Sequence, residues 1–223
     1  MREPPQAAPL APTESTRDRI KSVGAELFVV HGHDGFSFGD IAAIVGITRA
    51  NIHHHFGSKR KLMAEIVEDI CENAEDRIRR HWLEGELSFE RRLQLQLDDL
   101  RQFHQRFNPK PGDRRMWSPL SRLRHDLEAL DEGAANSLER VSRTYDHALR
   151  EGLRQAVTAG EFRSDLPVDD VARLLRVSFL AWSPMTQDSG SFGEIEALFS
   201  ILARTLRAAW GQSRLEPSID RTG

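Results

Sequence analysis

The stretch from Gly46 to Lys61 contains several basic side chains and no acidic one. Its cations are Arg49, Lys59, Arg60 and Lys61, and the last three fall in the first turn of a predicted helix. Cations at that position are disfavoured by the positive end of the helix dipole. A row of phosphates along this edge would offset the cost, so the pattern indicates binding to a nucleic-acid backbone.

Small and polar residues beside these cations have the chemistry to read base edges. Arg49 can pair with guanine N7 and O6, and Asn51 can read adenine. Hydroxyl, imidazole and ammonium groups can hold phosphates and fix the register on the duplex. The candidate DNA contacts are Ser37, Thr48, Arg49, Ala50, Asn51, His53, His54 and Lys59. The expected phosphate contacts among them are Ser37, Thr48, His53 and Lys59.

Two short helices joined by a glycine turn are predicted to position these residues. Ser37 and Asp40 have the spacing of a capping box, which marks the start of the first helix. Gly46 stands where a helix ends in a left-handed residue, because glycine has no Cβ to clash. Thr48 can then cap a second helix over residues 49–55. This layout is typical of a helix-turn-helix unit, whose second helix enters the major groove.

This stretch, from about residue 16 to 65, resembles the N-terminal DNA-binding domain of the tetracycline-repressor (TetR) family of transcriptional regulators. The family usually has a tyrosine that contacts a phosphate where this chain has His53. Histidine can also donate to phosphate, with a dependence on pH. The matching residues are Gly35, Ser37, Asp40, Ile41, Ala42, Gly46, Ile47, Thr48, Ile52, His55, Phe56, Ser58, Lys59 and Leu62.

The resemblance implies an all-α protein with a three-helix DNA-binding domain and a second helical domain for ligand binding and dimerisation. It also implies a homodimeric repressor that binds a palindromic operator on double-stranded DNA and is released by an unidentified small-molecule effector. We expect a disordered arm over residues 1–14, the DNA-binding domain over 15–62, the second domain over 63–211 and a flexible tail over 212–223.

Apolar stripes at helical spacing predict the helices of the second domain. They cover residues 58–82, 88–107, 113–127, 132–159, 168–182 and 192–210. In the first of these, an apolar residue recurs every four positions from Leu62 to Trp82. This helix would connect the two domains and transmit movement between them.

Helical bundles place ligand pockets between helices, and in the resembled family an effector lies there. Aromatic, sulfur-bearing and polar residues are the candidates, with ordinary core packing as the alternative for each. His104 and Tyr145 are the expected polar anchors. The candidate pocket residues are Phe103, His104, Phe107, Met116, Trp117, Tyr145, Phe179 and Trp182.

The last two predicted helices have broad apolar faces. In the resembled family these helices pair with their copies in a second subunit, although such faces can also complete a core within one chain. Two helix-turn-helix units on a palindrome add their contacts, which favours the dimer. The expected interface residues are Val171, Leu175, Phe179, Leu198, Leu202 and Leu206.

Composition bounds the remaining possibilities. The chain has 223 residues, a net charge of −3 and a mean hydropathy of −0.50, typical of a soluble protein. DNA binding is therefore indicated by the local patch and not by overall charge. The single cysteine, Cys71, excludes an intrachain disulfide, and a buried inert thiol is favoured over a redox sensor. Without a long apolar run or a signal peptide, we expect a cytoplasmic protein with no membrane partner.

No motif for catalysis, metal binding or cofactor binding is apparent. His31, His33 and Asp34 are interpreted as polar turn residues, and consecutive residues 53–55 point in different directions around a helix. We expect a protein that is not an enzyme and has neither a metal nor a cofactor. The alternatives are a helical ligand-binding protein or small helical enzyme, and a DNA-organising protein without an effector.

Overall fold

The computed structural model describes residues 15–212, and these residues form an all-α fold, as predicted. Apart from an isolated bridge between Phe162 and Gly211, this range contains no β-structure. The arm expected over residues 1–14 and the tail from residue 213 lie outside the described residues. The helices are α1 (Thr16–His31), α2 (Phe38–Val45), α3 (Arg49–Phe56), α4 (Lys59–Trp82), α5 (Phe89–Phe107), α6 (Pro119–His125), α7 (Glu132–Thr158), α8 (Val168–Leu180), α9 (Trp182–Ser189) and α10 (Gly193–Trp210), with a 3-10 turn at Leu127–Ala129.

The predicted caps delimit the first helices. Ser37 and Asp40 form the capping box of α2, and Gly46 ends that helix in the left-handed conformation with φ of +80°. The Thr48 side chain caps α3 by accepting from the Asn51 backbone N–H at 3.2 Å. Ser58 caps α4 in the same way. Local sequence signals therefore determine where each helix of this region begins and ends.

α4 connects the N-terminal helices to the rest of the molecule. The apolar residues of its stripe, from Leu62 to Trp82, are buried along the whole helix. α4 packs on α7, which packs in turn on α8. At Gly152 the two helices approach closely, since a Cβ there would lie 2.9 Å from Cε3 of Trp82.

Two predicted helices differ from the structure, and proline accounts for both differences. In the predicted helix 113–127, regular helix begins only at Pro119, which occupies the first turn after the Ser118 cap. The predicted helix 168–182 ends at Leu180, and a separate helix, α9, continues to Ser189. Pro184 in α9 has no N–H to donate to the Leu180 carbonyl, which explains the break near Ala181.

Within residues 15–212, no helix combines the length and the apolar character that a membrane crossing requires.

Candidate nucleic-acid interface and effector cavity

α3 exposes one polar face and anchors the other in the core. Ile52 and Phe56 are 0% and 4% exposed and hold the helix against its neighbours. The Arg17 guanidinium lies 4.3 Å from the Phe56 ring centroid and donates to the His55 carbonyl. The residues left exposed on and beside α3 are Thr48, Arg49, Ala50, Asn51, His53 and His54.

His53 is exposed, but it also touches α2. Its ring meets Phe38 edge to face, with centroids 5.6 Å apart. This contact fixes the side of α3 on which the imidazole lies. Ser37, at the start of α2, is also exposed, and its hydroxyl donates to Asp40 at 2.7 Å. Both side chains therefore lie on the part of the surface where the helix-turn-helix unit begins.

Lys59 has structural partners that the sequence did not reveal. Its Nζ donates to the His33 carbonyl and, at 2.5 Å, to the Phe36 carbonyl, and it lies 4.3 Å from the centroid of the Phe36 ring. Burial lowers the pKa of Lys59. Two of its three N–H groups thus close the turn between α1 and α2, and one remains for another acceptor.

The neighbouring cations Arg60 and Lys61 are exposed in the first turn of α4. Arg49, at the start of α3, is exposed as well, and these three cations are here called the cationic edge (Arg49, Arg60 and Lys61). Arg60 and Lys61 were not among the candidate DNA contacts. The signal that points to them is their position in a run of basic residues at the start of a predicted helix. The geometry suits a polyanion that lies across α3 and the start of α4.

Residues 20–66 match the sequence model of the family described as bacterial regulatory proteins, tetR family. The N-terminal domain is that of a TetR-family regulator. The match covers α2, α3, most of α1 and the start of α4, which are the elements that present the cationic edge. Residues 20–66 are therefore similar to the N-terminal domain of regulatory proteins of this family.

Solved structures of other proteins share the fold well beyond that domain. A TetR transcriptional regulator from Legionella pneumophila has a TM-score of 0.71 at 19% identity, covering 88% of this chain and 100% of the other. Regulatory protein TetR from Rhodobacter sphaeroides has a TM-score of 0.69 at 17% identity, covering 87% of this chain and 98% of the other. The reduced form of E. coli NemR has a TM-score of 0.68 at 16% identity, covering 85% of this chain and 95% of the other. At such identities the likeness shows the fold; no curated protein sequence matches this chain.

A cavity of ≈ 100 Å³ lies between α4, α5, α6, α7 and α8 and is here called the central cavity. Five of the candidate pocket residues line it. They are Phe103, Trp117, Tyr145, Phe179 and Trp182. The Tyr145 hydroxyl donates to Gln96 Oε1 at 3.0 Å, and burial raises the pKa of this tyrosine. Tyr145 is thus a polar group of the cavity wall, where the sequence suggested it.

The other three candidates lie outside the lining of the central cavity. His104 is buried between the rings of Trp117 and Phe192, and burial lowers its pKa. The Met116 sulfur accepts from the Ser183 hydroxyl at 3.3 Å. Phe107 lines a separate cleft beside α1. Their side chains pack on neighbouring helices, as the core alternative described.

Several polar residues of the central cavity were not among the candidates. Arg77 and His81 lie one turn apart on α4, beside the apolar stripe, and Gln96, Arg124 and Arg176 approach from other helices. Helical spacing places such residues next to the core-facing ones but does not reveal which neighbouring helix they meet. Only the packed structure brings these five side chains together.

α6 contacts both the central cavity and the DNA-binding domain. Leu120, Ser121 and Arg124 line the cavity. On another side of α6, Arg122 Nε donates to the Val29 carbonyl at 3.0 Å, near the end of α1. Asp126, just after α6, accepts from the backbone N–H of His33 at 2.6 Å. A change in the cavity wall therefore has a short physical route to the turn before α2.

The residues expected at a dimer interface lie instead in the core of the single chain. Val171, Leu175, Phe179, Leu202 and Leu206 are buried, and Leu198 is half-buried. These two helices also leave some large apolar residues exposed. Leu174, Val177 and Leu180 on α8 and Ile201 on α10 are 43–56% exposed and are here called the exposed apolar stripe.

Proposed function

We propose that the protein is a homodimeric transcriptional repressor that binds a palindromic operator and releases it when a small molecule occupies the central cavity. It acts in the cytoplasm on double-stranded DNA, by binding and not by catalysis. The proposal is carried by one observation: an exposed, polar α3 next to the cationic edge, on a domain that matches a family of bacterial regulators.

In this proposal α3 lies in the major groove. Arg49 pairs with a guanine and Asn51 with an adenine, while Ala50 allows close approach to the base edges. Thr48, His53 and His54 extend the same exposed face. Ser37, the third N–H of Lys59 and the cationic edge hold phosphates on either side, which fixes the register.

The exposed apolar stripe supports pairing of two copies. Leu174, Val177 and Leu180 follow one another at intervals of three residues along α8, so they form a ridge that a second α8 can pack against. Covering this ridge removes apolar surface from water, which stabilises the dimer by about 25 cal/mol for each Å² buried. A twofold dimer would also place two α3 helices on a palindromic site.

Release by an effector requires a difference in affinity between two conformations of the dimer. The α6 contacts to α1 supply a connection, because the same helix lines the central cavity. We propose a DNA-binding domain over residues 15–62 and an effector-binding and dimerisation domain over 63–211, with α4 and α6 between the two functions. A ligand that binds more tightly to the conformation in which the two α3 helices do not match the spacing of the operator releases the dimer from DNA.

Footprinting of purified protein on DNA next to its own gene, repeated at several salt concentrations, tests the proposal. We expect one sharp palindromic footprint, a dimer by light scattering and an affinity that falls steeply with salt. Diffuse coverage would indicate a DNA-organising protein. Absence of salt-sensitive affinity for any genomic fragment would leave only a helical ligand-binding protein.

A further inference from the structure

Aromatic and aliphatic side chains form most of the wall of the central cavity. Phe103, Trp117, Phe179 and Trp182 contribute rings, and Leu100 adds aliphatic surface. An apolar cavity of about 150 Å³ can accept a benzene molecule. The ≈ 100 Å³ of the central cavity therefore limits a buried ligand to no more than one aromatic ring.

Two deeply buried nitrogens at this wall have no hydrogen-bond partner among the described residues. They are Nε1 of Trp182 and Nδ1 of His81, and both residues are only 9% exposed. A tryptophan N–H is solely a donor, and leaving it unpaired in a buried site is costly. Burial lowers the pKa of His81, which favours the neutral form of its ring. A ligand that supplies a hydrogen-bond acceptor would therefore pair the Trp182 N–H.

The charges of the cavity wall are also unbalanced. Three arginines line it, and Asp99 pairs with Arg77 at 3.1 Å. Arg176 Nε lies 2.9 Å from Asp146 Oδ1, at an angle that makes no hydrogen bond, and Asp146 is shared with Arg150. Arg176 therefore has only a poorly aligned carboxylate, which it shares with Arg150.

Arg124 is the least compensated of these cations. It donates to the Leu120 carbonyl, and no carboxylate within residues 15–212 forms an ion pair with it. Although Arg124 is exposed, partial desolvation lowers the pKa of its guanidinium, and the like charge of Arg176 lowers it further. Two cations that line one cavity and repel each other offer a site for an anion.

From these features we infer that the effector is a small aromatic carboxylate. Its ring packs among the aromatic residues of the central cavity, and its carboxylate pairs with Arg124 and Arg176. This inference rests on the proposed function, because it specifies the ligand of the same cavity. A neutral ring of equal size would lack the charge-assisted bonds, and a cationic one would be repelled.

Isothermal titration calorimetry with four single-ring compounds tests the ligand class. Benzoate and phenylacetate are the anionic probes, benzamide is the neutral match and benzylamine is the cationic one. We expect the carboxylates to bind, benzamide to bind about tenfold more weakly and benzylamine not to bind. Equal binding of benzamide and the carboxylates, or no binding of the carboxylates at millimolar concentration, would overturn the inference.

Variants of the wall locate the site. Arg124→Gln and Arg176→Gln should each weaken carboxylate binding about tenfold, with Arg176→Lys retaining part of the affinity. Trp182→Phe keeps the ring and removes the donor, so a smaller loss is expected. Arg143→Gln, on the exposed face of α7, is the matched control. Unchanged affinity in both cavity arginine variants, with melting temperatures like that of the parent, would also overturn the inference.

Gel shifts on the same proteins separate this inference from the proposed function. Carboxylates that bind and release the operator support both. A sharp, salt-sensitive operator complex that benzamide or benzylamine releases, but benzoate does not, would defeat the ligand class alone. Protein that binds benzoate but no DNA would defeat the proposed function while leaving the ligand class intact.

Discussion

Arg49 and Lys61 lie on the same surface, but the proposed interface gives them different tasks. Arg49 on α3 faces base edges, so Arg49→Ala should cost about 1–3 kcal/mol at its cognate base pair and relax specificity there. Lys61 faces the backbone, so Lys61→Ala should weaken all sequences alike and reduce the salt slope by about one. Gel shifts against single-base operator variants at several salt concentrations measure both. A uniform loss for Arg49→Ala would reassign it to the backbone.

Lys59 is expected to combine a structural and a phosphate-binding task. Lys59→Met removes the donor from the His33 and Phe36 carbonyls, so it should lower the free energy of unfolding by about 1–3 kcal/mol. It should also weaken DNA binding on every sequence and reduce the salt slope by about one. Urea denaturation and salt-dependent gel shifts measure the two effects, with Lys61→Met as the control that keeps full stability. A normal salt slope in folded Lys59→Met would remove Lys59 from the phosphate contacts.

Cys71 is fully buried in α4, and burial raises the pKa of its thiol to about 11. At pH 8 only about one molecule in a thousand then carries the reactive thiolate. We expect Ellman's reagent to label native protein slowly, and at full rate once urea unfolds it. Rapid labelling of the native state, together with oxidant-dependent loss of DNA binding, would instead indicate a redox-sensing cysteine.

These residues show what sequence can reveal at this scale. Thr48, Arg49 and Asn51 were assigned to an exposed face because their helix is short and its caps are local signals. The partners of Lys59 were invisible, because His33 and Phe36 reach it only through the path of the turn between α1 and α2. Cys71 was expected to be buried because it lies next to an apolar stripe.

At the scale of elements, α6 is the short helix that both lines the central cavity and contacts α1. Arg122→Ala removes its bonds to the Val29 and Val30 carbonyls of α1. DNA binding without ligand should persist, while the shift in operator affinity caused by benzoate should shrink from a typical coupling of about 1–3 kcal/mol. Gel shifts with and without benzoate measure the coupling, and exposed Arg115→Ala is the control. An undiminished shift in Arg122→Ala would place the route elsewhere, for example along α4.

Helices with long apolar stripes were predictable, and those shaped by proline were not fully so. α4 and α7 carry a stripe over many turns, so their existence and extent followed from spacing alone. α6 and α9 are short and contain Pro119 and Pro184. In such segments the prolines decide where regular hydrogen bonding starts or stops, and hydrophobic spacing does not show it.

For the whole molecule, the DNA-binding domain could be predicted because its sequence signals are contiguous, whereas the central cavity is assembled from several helices. Which side of each helix faces the cavity depends on how α7 packs between α4 and α8. Arg77, Arg124 and Arg176 were therefore not among the candidate pocket residues. The same packing determines which apolar residues of α8 and α10 remain outside the core.

That outer face gives the strongest test of the assembly. Val177 is 56% exposed, so Val177→Glu should leave the fold intact while placing a charge in the proposed dimer interface. We expect light scattering to show a single chain of 25.3 kDa and the palindrome to be bound no more tightly than a half-site. Because linked sites gain about 10²–10⁴ in affinity, the loss should be about a hundredfold or more. Ala135→Glu introduces the same charge at an exposed position of α7, so this control variant should remain a dimer. If Val177→Glu also stayed dimeric, the two copies would have to meet through another surface, and the spacing of their α3 helices would have to be derived from that surface instead.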